Sequence, residues 1–252
     1  MRTLRIILLS PLALFRLILV LLITFLTGLT GYIWLKIFGF SRSLQNWVLH
    51  TWGKSILLIC GIVVHKNEIP DIANSILMPN HRGYQDIFIL SALTPAAFIS
   101  KAEVKKWPFM SLGAKLTNSF FVKRSELKSL ISTMNKIKKS LENEIPVAIF
   151  PEGTTYKGPL TRPFKKGSFK IAADSQIPII PVAIHYRDEN DAWVGTDTFV
   201  GHFLRQMSKP ISRADIIYGD PVKNNDYTLL MQQTKEKIDK MLLSIQACSN
   251  VQ

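Results

Sequence analysis

The feature that most constrains the fold is an alternation of short apolar runs with stretches of helical periodicity, which begins after Gly61. The runs occupy positions 62–64, 75–79, 97–100, 119–123, 146–150, 178–186 and 215–218. Short apolar runs bounded by turn residues are typical of strands, and strands that alternate with helices are typical of parallel sheets. The alternation therefore predicts an α/β fold with a largely parallel sheet flanked by helices.

Periodicity and capping residues predict three long helices. The clearest has Ser125 as its N-cap, apolar residues at helical spacing on one face and lysines outside that face. Its apolar positions are Leu127, Leu130, Ile131, Met134, Ile137 and Leu141, and its lysines are Lys128, Lys136, Lys138 and Lys139. The other two helices cover 41–60 and run from about Tyr227 to Ile245. Trp47 and Trp52 in the first of these belong either to a membrane–water interface or to the core.

The N-terminal stretch is apolar enough to enter a membrane. Residues 6–35 are almost wholly apolar, and the nineteen residues before Lys36 carry no charge, which is about the length of one membrane-spanning helix. A second arrangement fits equally: two helices bent near Gly28 and Gly31 that dip into one leaflet, with Arg16 extending to the lipid headgroups. A secretory signal does not fit, because the run is too long and lacks a clear small-residue cleavage site.

The formal net charge of +13 indicates an anionic partner. Nucleic acid is not expected, because no zinc-finger spacing or RNA-binding aromatic signature accompanies the charge. The apolar N-terminus instead favours an anionic lipid surface, and the alternative is that the lysines only keep the protein soluble. Cys60 and Cys248 form no disulfide framework or CxxC motif, which fits a reducing compartment. The histidines show no paired ligand spacing, so no metal site is predicted.

His81 and Asp86 are the candidate catalytic pair. On one continuous helix, residues five apart point about 140° away from each other, so the two side chains would not meet. Gly83 between them allows a turn that leaves His81 on a loop and Asp86 in the first turn of the next helix. The carboxylate could then orient the imidazole, whose other nitrogen would take a proton from a substrate hydroxyl. A chance structural pair is the alternative.

Two further segments place polar residues at the ends of predicted strands, where parallel sheets bind ligands. Arg124 follows the strand at 119–123 and precedes the helix N-cap Ser125, a position that suits an anion. Glu152 and Gly153 follow the strand at 146–150: the glutamate would accept hydrogen bonds from a polyol or hold a cation, and the glycine lets backbone approach a ligand. A solvated arginine and an ordinary turn are the alternatives. Gly-x-Ser-x-Gly is absent, which disfavours a serine hydrolase.

Together, four segments across residues 66–187 resemble the 1-acyl-sn-glycerol-3-phosphate acyltransferase family of glycerolipid acyltransferases. The matching residues are Asn80, His81 and Asp86 for Asn-His-x4-Asp, then Phe121, Val122 and Arg124 for an apolar run ending in Arg, then Phe150 to Thr154 for Phe-Pro-Glu-Gly-Thr, and finally the strand from Ile177 to Val182. The resemblance implies an acyltransferase domain over residues 61–252, preceded by membrane-anchoring helices in residues 1–60.

The resemblance also implies the roles of the site residues. His81 is expected to be the base and Asp86 its orienter. The expected acceptor-binding residues are Arg82, Tyr84, Arg124, Glu152, Gly153 and Thr154. Two positions depart from the family: Thr155 stands where family members that use lysophosphatidate usually have Arg, and Asn118 stands where the second segment often begins with Gly. The lost charge leaves the acceptor headgroup open, and Lys157, Arg162, Lys165 or Lys166 are candidates to replace it.

The expected activity is acyl transfer at the cytoplasmic face of the inner membrane. The acyl group would come from acyl-CoA or acyl carrier protein as co-substrate, with no further cofactor, and the acceptor would be 1-acyl-sn-glycerol-3-phosphate, giving phosphatidic acid. Two other hypotheses remain: an acyltransferase for another lysolipid such as lyso-ornithine lipid, and a membrane-binding protein without catalysis. The partners are the bilayer, the lysolipid and the acyl donor.

Overall fold

The computed structural model describes residues 10–107, 109–123 and 127–249. Its strands are β1 (Ile62–Lys66), β2 (Ile76–Pro79), β3 (Ala97–Lys101), β4 (Phe120–Val122), β5 (Val147–Ala148), β6 (Ile179–Tyr186) and β7 (Ser212–Tyr218). Its α-helices are α1 (Ser10–Phe38), α2 (Arg42–Cys60), α3 (Gln85–Leu93), α4 (Met110–Leu116), α5 (Leu127–Glu142), α6 (Lys166–Asp174), α7 (Phe199–Met207) and α8 (Tyr227–Ser249). Short 3₁₀ turns lie at Ala102–Lys106 and Glu189–Asp191.

All seven strands form one sheet in the order β1-β7-β6-β2-β5-β3-β4. Neighbouring strands run parallel throughout, with the single exception of the antiparallel pair β6 and β7. Side chains of β2 alternate between the two faces, so that Ile76 and Met78 join one core cluster while Leu77 joins the other. The predicted α/β fold with a largely parallel sheet flanked by helices is confirmed.

Local sequence signals explain where the predicted helices begin and end. Ser41 caps α2 by accepting a hydrogen bond from the backbone N–H of Leu44, and Gly61 ends the helix in the left-handed conformation at φ +67°. Asn118, just before β4, has φ +52°, a conformation that Gly and Asn adopt more readily than other residues. This backbone requirement explains why Asn can stand at that position in place of Gly.

From Ser10 to Phe38 the chain forms one uninterrupted helix, so the second arrangement, two helices bent near Gly28 and Gly31, is wrong. The chain turns instead at Gly39, which has φ +76°, and returns as α2. A Cβ at Gly31 would lie 3.0 Å from Leu116 Cδ1 and 3.1 Å from Val48 Cγ2, so a bare backbone here allows close packing on α2 and α4. Over the described residues, the segment Pro11–Phe38 has the length and composition to cross a membrane.

The two faces of α1 differ in what they contact. One face packs against α2, α4 and α7. The other exposes large apolar side chains to the outside, namely Leu14, Phe15, Ile18, Leu21, Leu22, Phe25, Leu26, Leu29, Ile33 and Ile37. Arg16 lies on the packed face and is buried, and its guanidinium donates to the carbonyl oxygens of Met207, Lys209 and Pro210. The prediction that Arg16 extends to lipid headgroups is therefore wrong, because backbone carbonyls at the end of α7 and just after it hold its charge inside the protein.

Candidate active site

Three adjacent parallel strands, β6, β2 and β5, bring the candidate site together at their carboxyl ends. His81 follows β2, Glu152 follows β5, and Tyr186 is the last residue of β6. The side-chain amide of Asn80 continues the pairing of β2 with β6: its Nδ2 donates to the Ile184 carbonyl oxygen at 2.9 Å, and its Oδ1 accepts from the Ile184 N–H at 2.6 Å. Asn80 thereby holds against β6 the start of the loop at 80–84, which we call the catalytic loop because it carries the candidate base His81.

His81 and Asp86 are in direct contact. The distance from His81 Nδ1 to Asp86 Oδ2 is 2.7 Å, the Asp86 side chain is fully buried, and 19% of the His81 side chain is exposed. Because a carboxylate only accepts, Nδ1 carries the proton of this hydrogen bond, and Nε2 of a neutral imidazole is then a proton acceptor. The predicted geometry, with His81 on a loop and Asp86 in the first turn of α3, is present in the structure.

Asp86 is held by three further donors. Its Oδ2 accepts from the backbone N–H groups of Arg82 at 2.7 Å and Gly83 at 3.0 Å, and its Oδ1 accepts from the Tyr186 hydroxyl at 2.5 Å. Burial, followed by the Asp86 charge, raises the pKa of Tyr186 well above its ordinary value, so the phenol remains a donor. Tyr186 was not predicted from the sequence, where its one signal is its place at the end of a strand that leads to the site.

The plane of the His81 ring is set by Phe150. The two rings are stacked with centroids 4.0 Å apart and an angle of 25° between their planes. Phe150 lies two residues after the end of β5, so the segment that leaves the neighbouring strand supports the imidazole from one side. With Asp86 fixing Nδ1 and Phe150 fixing the ring plane, His81 is oriented before any substrate arrives.

Glu152 is buried and joins two loops. Its Oε1 accepts from the backbone N–H of His81 at 2.9 Å, and its Oε2 accepts from the backbone N–H of Arg162 at 2.9 Å. Burial raises the pKa of the Glu152 carboxyl, while the two amides and the charge of Arg82 act in the opposite direction. The predicted contact of Glu152 with the acceptor stays a prediction, because both carboxylate oxygens bind backbone here.

Arg82 and Tyr84 also make contacts within the protein. The buried Arg82 guanidinium donates from Nη1 to the carbonyl oxygens of Tyr156 at 2.9 Å and Gly158 at 2.6 Å. The Tyr84 hydroxyl lies 3.0 Å from His202 Nδ1, and His202 Nε2 lies 3.2 Å from the Ala192 carbonyl oxygen. Since that carbonyl only accepts, Nε2 carries the histidine proton and the Tyr84 hydroxyl donates to Nδ1. Acceptor binding by Arg82 and Tyr84 stays a prediction.

Two of the remaining predicted residues, Gly153 and Thr154, lie on the loop after β5. Gly153 has φ +74°, which favours glycine at this turn, and Thr154 is exposed to solvent. Arg124 and the predicted helix cap Ser125 lie outside the described residues. Within the part of the chain that the structure describes, no group of three or more His, Cys, Asp or Glu residues could hold a metal ion.

Known proteins with similar sequences and structures are acyltransferases. The acyltransferase family model matches residues 61–185. A lyso-ornithine lipid O-acyltransferase from Rhizobium meliloti is 27% identical over 79% of this chain and 75% of its own. A 1-acyl-sn-glycerol-3-phosphate acyltransferase from Neisseria meningitidis is 28% identical over 67% of this chain and 70% of its own. The crystal structure of PlsC, the 1-acyl-sn-glycerophosphate acyltransferase of Thermotoga maritima, shares the fold, with a TM-score of 0.73, 23% identity and 98% coverage of both chains.

Proposed function

Residues 61–185 make this chain a member of the acyltransferase family, and from that premise we propose that it transfers a fatty acyl group to the free hydroxyl of 1-acyl-sn-glycerol-3-phosphate. The acyl donor is acyl-CoA or acyl carrier protein, and the product is phosphatidic acid, an intermediate of phospholipid biosynthesis. The observation that carries the proposal is the 2.7 Å contact between His81 Nδ1 and Asp86 Oδ2, which leaves Nε2 free to accept a proton. Membership of a family of enzymes sets aside the hypothesis of a membrane-binding protein without catalysis.

The reaction needs one base and no protein nucleophile, because a thioester is already activated. His81 Nε2 takes the proton of the acceptor hydroxyl while the hydroxyl oxygen attacks the carbonyl carbon of the thioester. Asp86 stabilises the imidazolium that forms and holds its orientation. The tetrahedral intermediate then collapses, the carbon–sulfur bond breaks, and the departing thiolate takes the proton from His81. A positioned base of this kind contributes roughly 10²–10⁴-fold to the rate.

A second acceptor, lyso-ornithine lipid, is supported by two observations. Thr155 carries no charge at a position where lysophosphatidate-using members of the family usually have Arg. The similar protein from Rhizobium meliloti is named a lyso-ornithine lipid O-acyltransferase, and it matches a larger share of this chain than the Neisseria meningitidis enzyme does. The same base and thioester chemistry would acylate either acceptor. The choice of acceptor therefore depends on which headgroup the site binds.

The proposed attachment to the membrane is through residues 1–60, with α1 lying in one leaflet. A helix that crosses a bilayer alone would expose apolar residues on all sides, whereas α1 contacts α2, α4 and α7 along one face. The buried ion-dipole contacts of Arg16 also belong to a helix that lies against the catalytic domain. Residues 61–252 then form the catalytic domain, on the cytoplasmic face of the inner membrane, where acyl-CoA and acyl carrier protein are found.

The test is acyl transfer by the purified full-length protein in lipid vesicles. Labelled acyl-CoA and acyl carrier protein are each offered with a panel of acceptors, including 1-acyl-sn-glycerol-3-phosphate and lyso-ornithine lipid. We expect labelled phosphatidic acid, and we expect His81→Ala to lower the rate by about 10²–10⁴-fold. His65→Ala is the matched control, because that histidine is on β1 and half its side chain is exposed.

Each result bears on a different part of the proposal. Transfer to lyso-ornithine lipid alone would replace the first acceptor with the second. Near-full activity of His81→Ala would contradict the mechanism while leaving the enzyme class intact. If the unmodified protein acylates no lysolipid from either donor, the proposed function is wrong.

A further inference from the structure

The loop from Glu152 to Arg162 is tied to the catalytic loop at its first residue and in its middle, and its last residue is tied back to Glu152. The Glu152 carboxylate accepts the backbone N–H of His81 on one oxygen and that of Arg162 on the other. The backbone N–H of Tyr156 donates to the His81 carbonyl oxygen at 2.8 Å, and Arg82 binds the carbonyl oxygens of Tyr156 and Gly158. The Glu152 carboxylate therefore bridges the backbone nitrogens of His81 and Arg162 through one hydrogen bond to each.

The side chain of Arg162 is held in place by Tyr156. Its guanidinium carbon lies 5.7 Å from the centroid of the Tyr156 ring, which is a cation–π contact. The ring itself lies against Gly158, where a Cβ would come within 2.3 Å of ring atoms. The stack of Gly158, Tyr156 and Arg162 thus holds the guanidinium on a loop whose backbone is hydrogen-bonded to the catalytic loop.

This guanidinium is available to bind an anion. Arg162 is exposed, and among the residues that the structure describes no carboxylate forms an ion pair with it. A ring face attracts the cation without using its N–H donors, so all five remain free for oxygen atoms of a ligand. Lys157, Lys165 and Lys166 are also exposed cations near this loop, but no side-chain contact within the described part of the chain fixes their position.

We propose that Arg162 determines acceptor specificity by binding the acidic headgroup of the lysolipid while His81 takes the proton of its hydroxyl. The inference rests on the proposed function and identifies the residue that recognises the headgroup of the acceptor. The chemistry recognised is a set of anionic oxygens close to the reacting hydroxyl, either the phosphate on the adjacent carbon of a lysophosphatidate or the carboxylate of lyso-ornithine lipid. Guanidinium binds both with paired hydrogen bonds.

The experiment compares Arg162→Gln and Arg162→Lys with the unmodified full-length enzyme in vesicles. The Michaelis constants are measured separately for the acceptor and for acyl-CoA, with 1-acyl-sn-glycerol-3-phosphate and lyso-ornithine lipid as the two acceptors. Lys170→Gln is the matched control, because the Lys170 ammonium also lies over an aromatic ring, 5.0 Å from the centroid of Tyr227, but outside the loop after Glu152. The thermal midpoint of each variant shows that it is folded; only the backbone of Arg162 binds Glu152, so the fold is expected to survive.

For Arg162→Gln we expect the acceptor KM to rise about 10-fold to 100-fold, with kcat and the KM for acyl-CoA within about twofold. Arg162→Lys is expected to restore part of the loss, and Lys170→Gln to have no effect. If the KM of Arg162→Gln rises for 1-acyl-sn-glycerol-3-phosphate, Arg162 binds a phosphate. If it rises for lyso-ornithine lipid, Arg162 binds a carboxylate. An unchanged acceptor KM in Arg162→Gln, or an equal rise in Lys170→Gln, would overturn the inference. All of these results are obtained with an unmodified enzyme that is active. The proposed function fails in a different way, when the unmodified enzyme acylates neither lysolipid.

Discussion

Tyr186 donates its hydroxyl hydrogen bond to Asp86 Oδ1 at 2.5 Å, on the oxygen that does not face His81. The two residues are 100 positions apart in the sequence and meet because β6 and β2 are neighbours in the sheet. We therefore expect Tyr186 to be a positioning residue that acts on the proposed base, His81, through Asp86. The carboxylate is held from both sides, by backbone amides of the catalytic loop and by the end of β6.

We expect Tyr186→Phe to lower kcat by about 3-fold to 10-fold with little change in either Michaelis constant. Asp86 keeps its two backbone donors, but it loses the one that fixes Oδ1, a charged hydrogen bond worth about 1.5–3 kcal/mol. Steady-state kinetics of the purified variant measure the effect. Tyr218→Phe is the matched control, since its buried hydroxyl lies 3.2 Å from Thr94 Oγ1, away from Asp86. An equal fall in kcat for both variants would show a general loss of packing.

Removal of the Arg16 guanidinium is expected to weaken the packing of α1 against the end of α7 and the residues after it. In Arg16→Met, the carbonyl oxygens of Met207, Lys209 and Pro210 lose their buried donor, and we expect a loss of roughly 3 kcal/mol in the free energy of unfolding. Urea unfolding in detergent measures it. Arg42→Met is the control, because Arg42 forms an exposed ion pair with Glu144 that contributes at most about 1 kcal/mol. Equal losses in the two variants would contradict the role of burial.

Substitution by alanine is expected to change the stability of the protein in opposite directions at two helical glycines. A Cβ at Gly53 on α2 would lie 2.5 Å from the backbone nitrogen of Ala92, so Gly53→Ala forces α2 away from α3 and is expected to cost about 3 kcal/mol. A Cβ at Gly113 on α4 meets no atom within 4 Å, so Gly113→Ala should stabilise by about 0.5–1 kcal/mol through helix propensity. Thermal unfolding of both variants measures the signs, and a stabilising Gly53→Ala would contradict the packing of α2 on α3.

The protein should lose stability as the pH falls below about 6.5. Burial lowers the pKa of the His202 imidazole from 6.5, the nearby Arg205 lowers it further, and Asp197 and Asp191 oppose the shift without cancelling it. The unfolded chain therefore takes up a proton at a higher pH than the folded chain does. The stability is fully present above the unfolded pKa and is lost as the pH falls through it toward the folded value.

The measurement is urea unfolding between pH 5 and pH 7.5, compared with His202→Gln. Burial also lowers the pKa of His50 and His185, so they contribute with the same sign and the variant should keep part of the slope. The slope in His202→Gln is expected to be smaller than in the unmodified protein. A slope of equal size in both would show that protonation of His202 does not determine the loss.

Strands and the long helices were predictable because their signals are local. The strand predicted at 178–186 is observed at Ile179–Tyr186, and the helix predicted over 41–60 is observed at Arg42–Cys60. The short helices α4, α6 and α7 were missed: each has seven to nine residues, too few for a convincing periodic pattern. Arg16 was misplaced because nothing in the residues around it shows that the carbonyl groups at 207–210 lie beside it.

The sequence by itself determined the α/β fold, the family and the pairing of His81 with Asp86, since the six residues 81–86, with Gly83 among them, hold both the turn and the two side chains. Only the tertiary structure added Tyr186 to the site and showed what Phe150, Glu152 and Arg162 contact there. It also showed that Arg82 and Tyr84 bind other parts of the protein. The physical reason is that the site lies where the ends of β6, β2 and β5 meet, and the order of strands in a sheet is decided by packing of the whole domain.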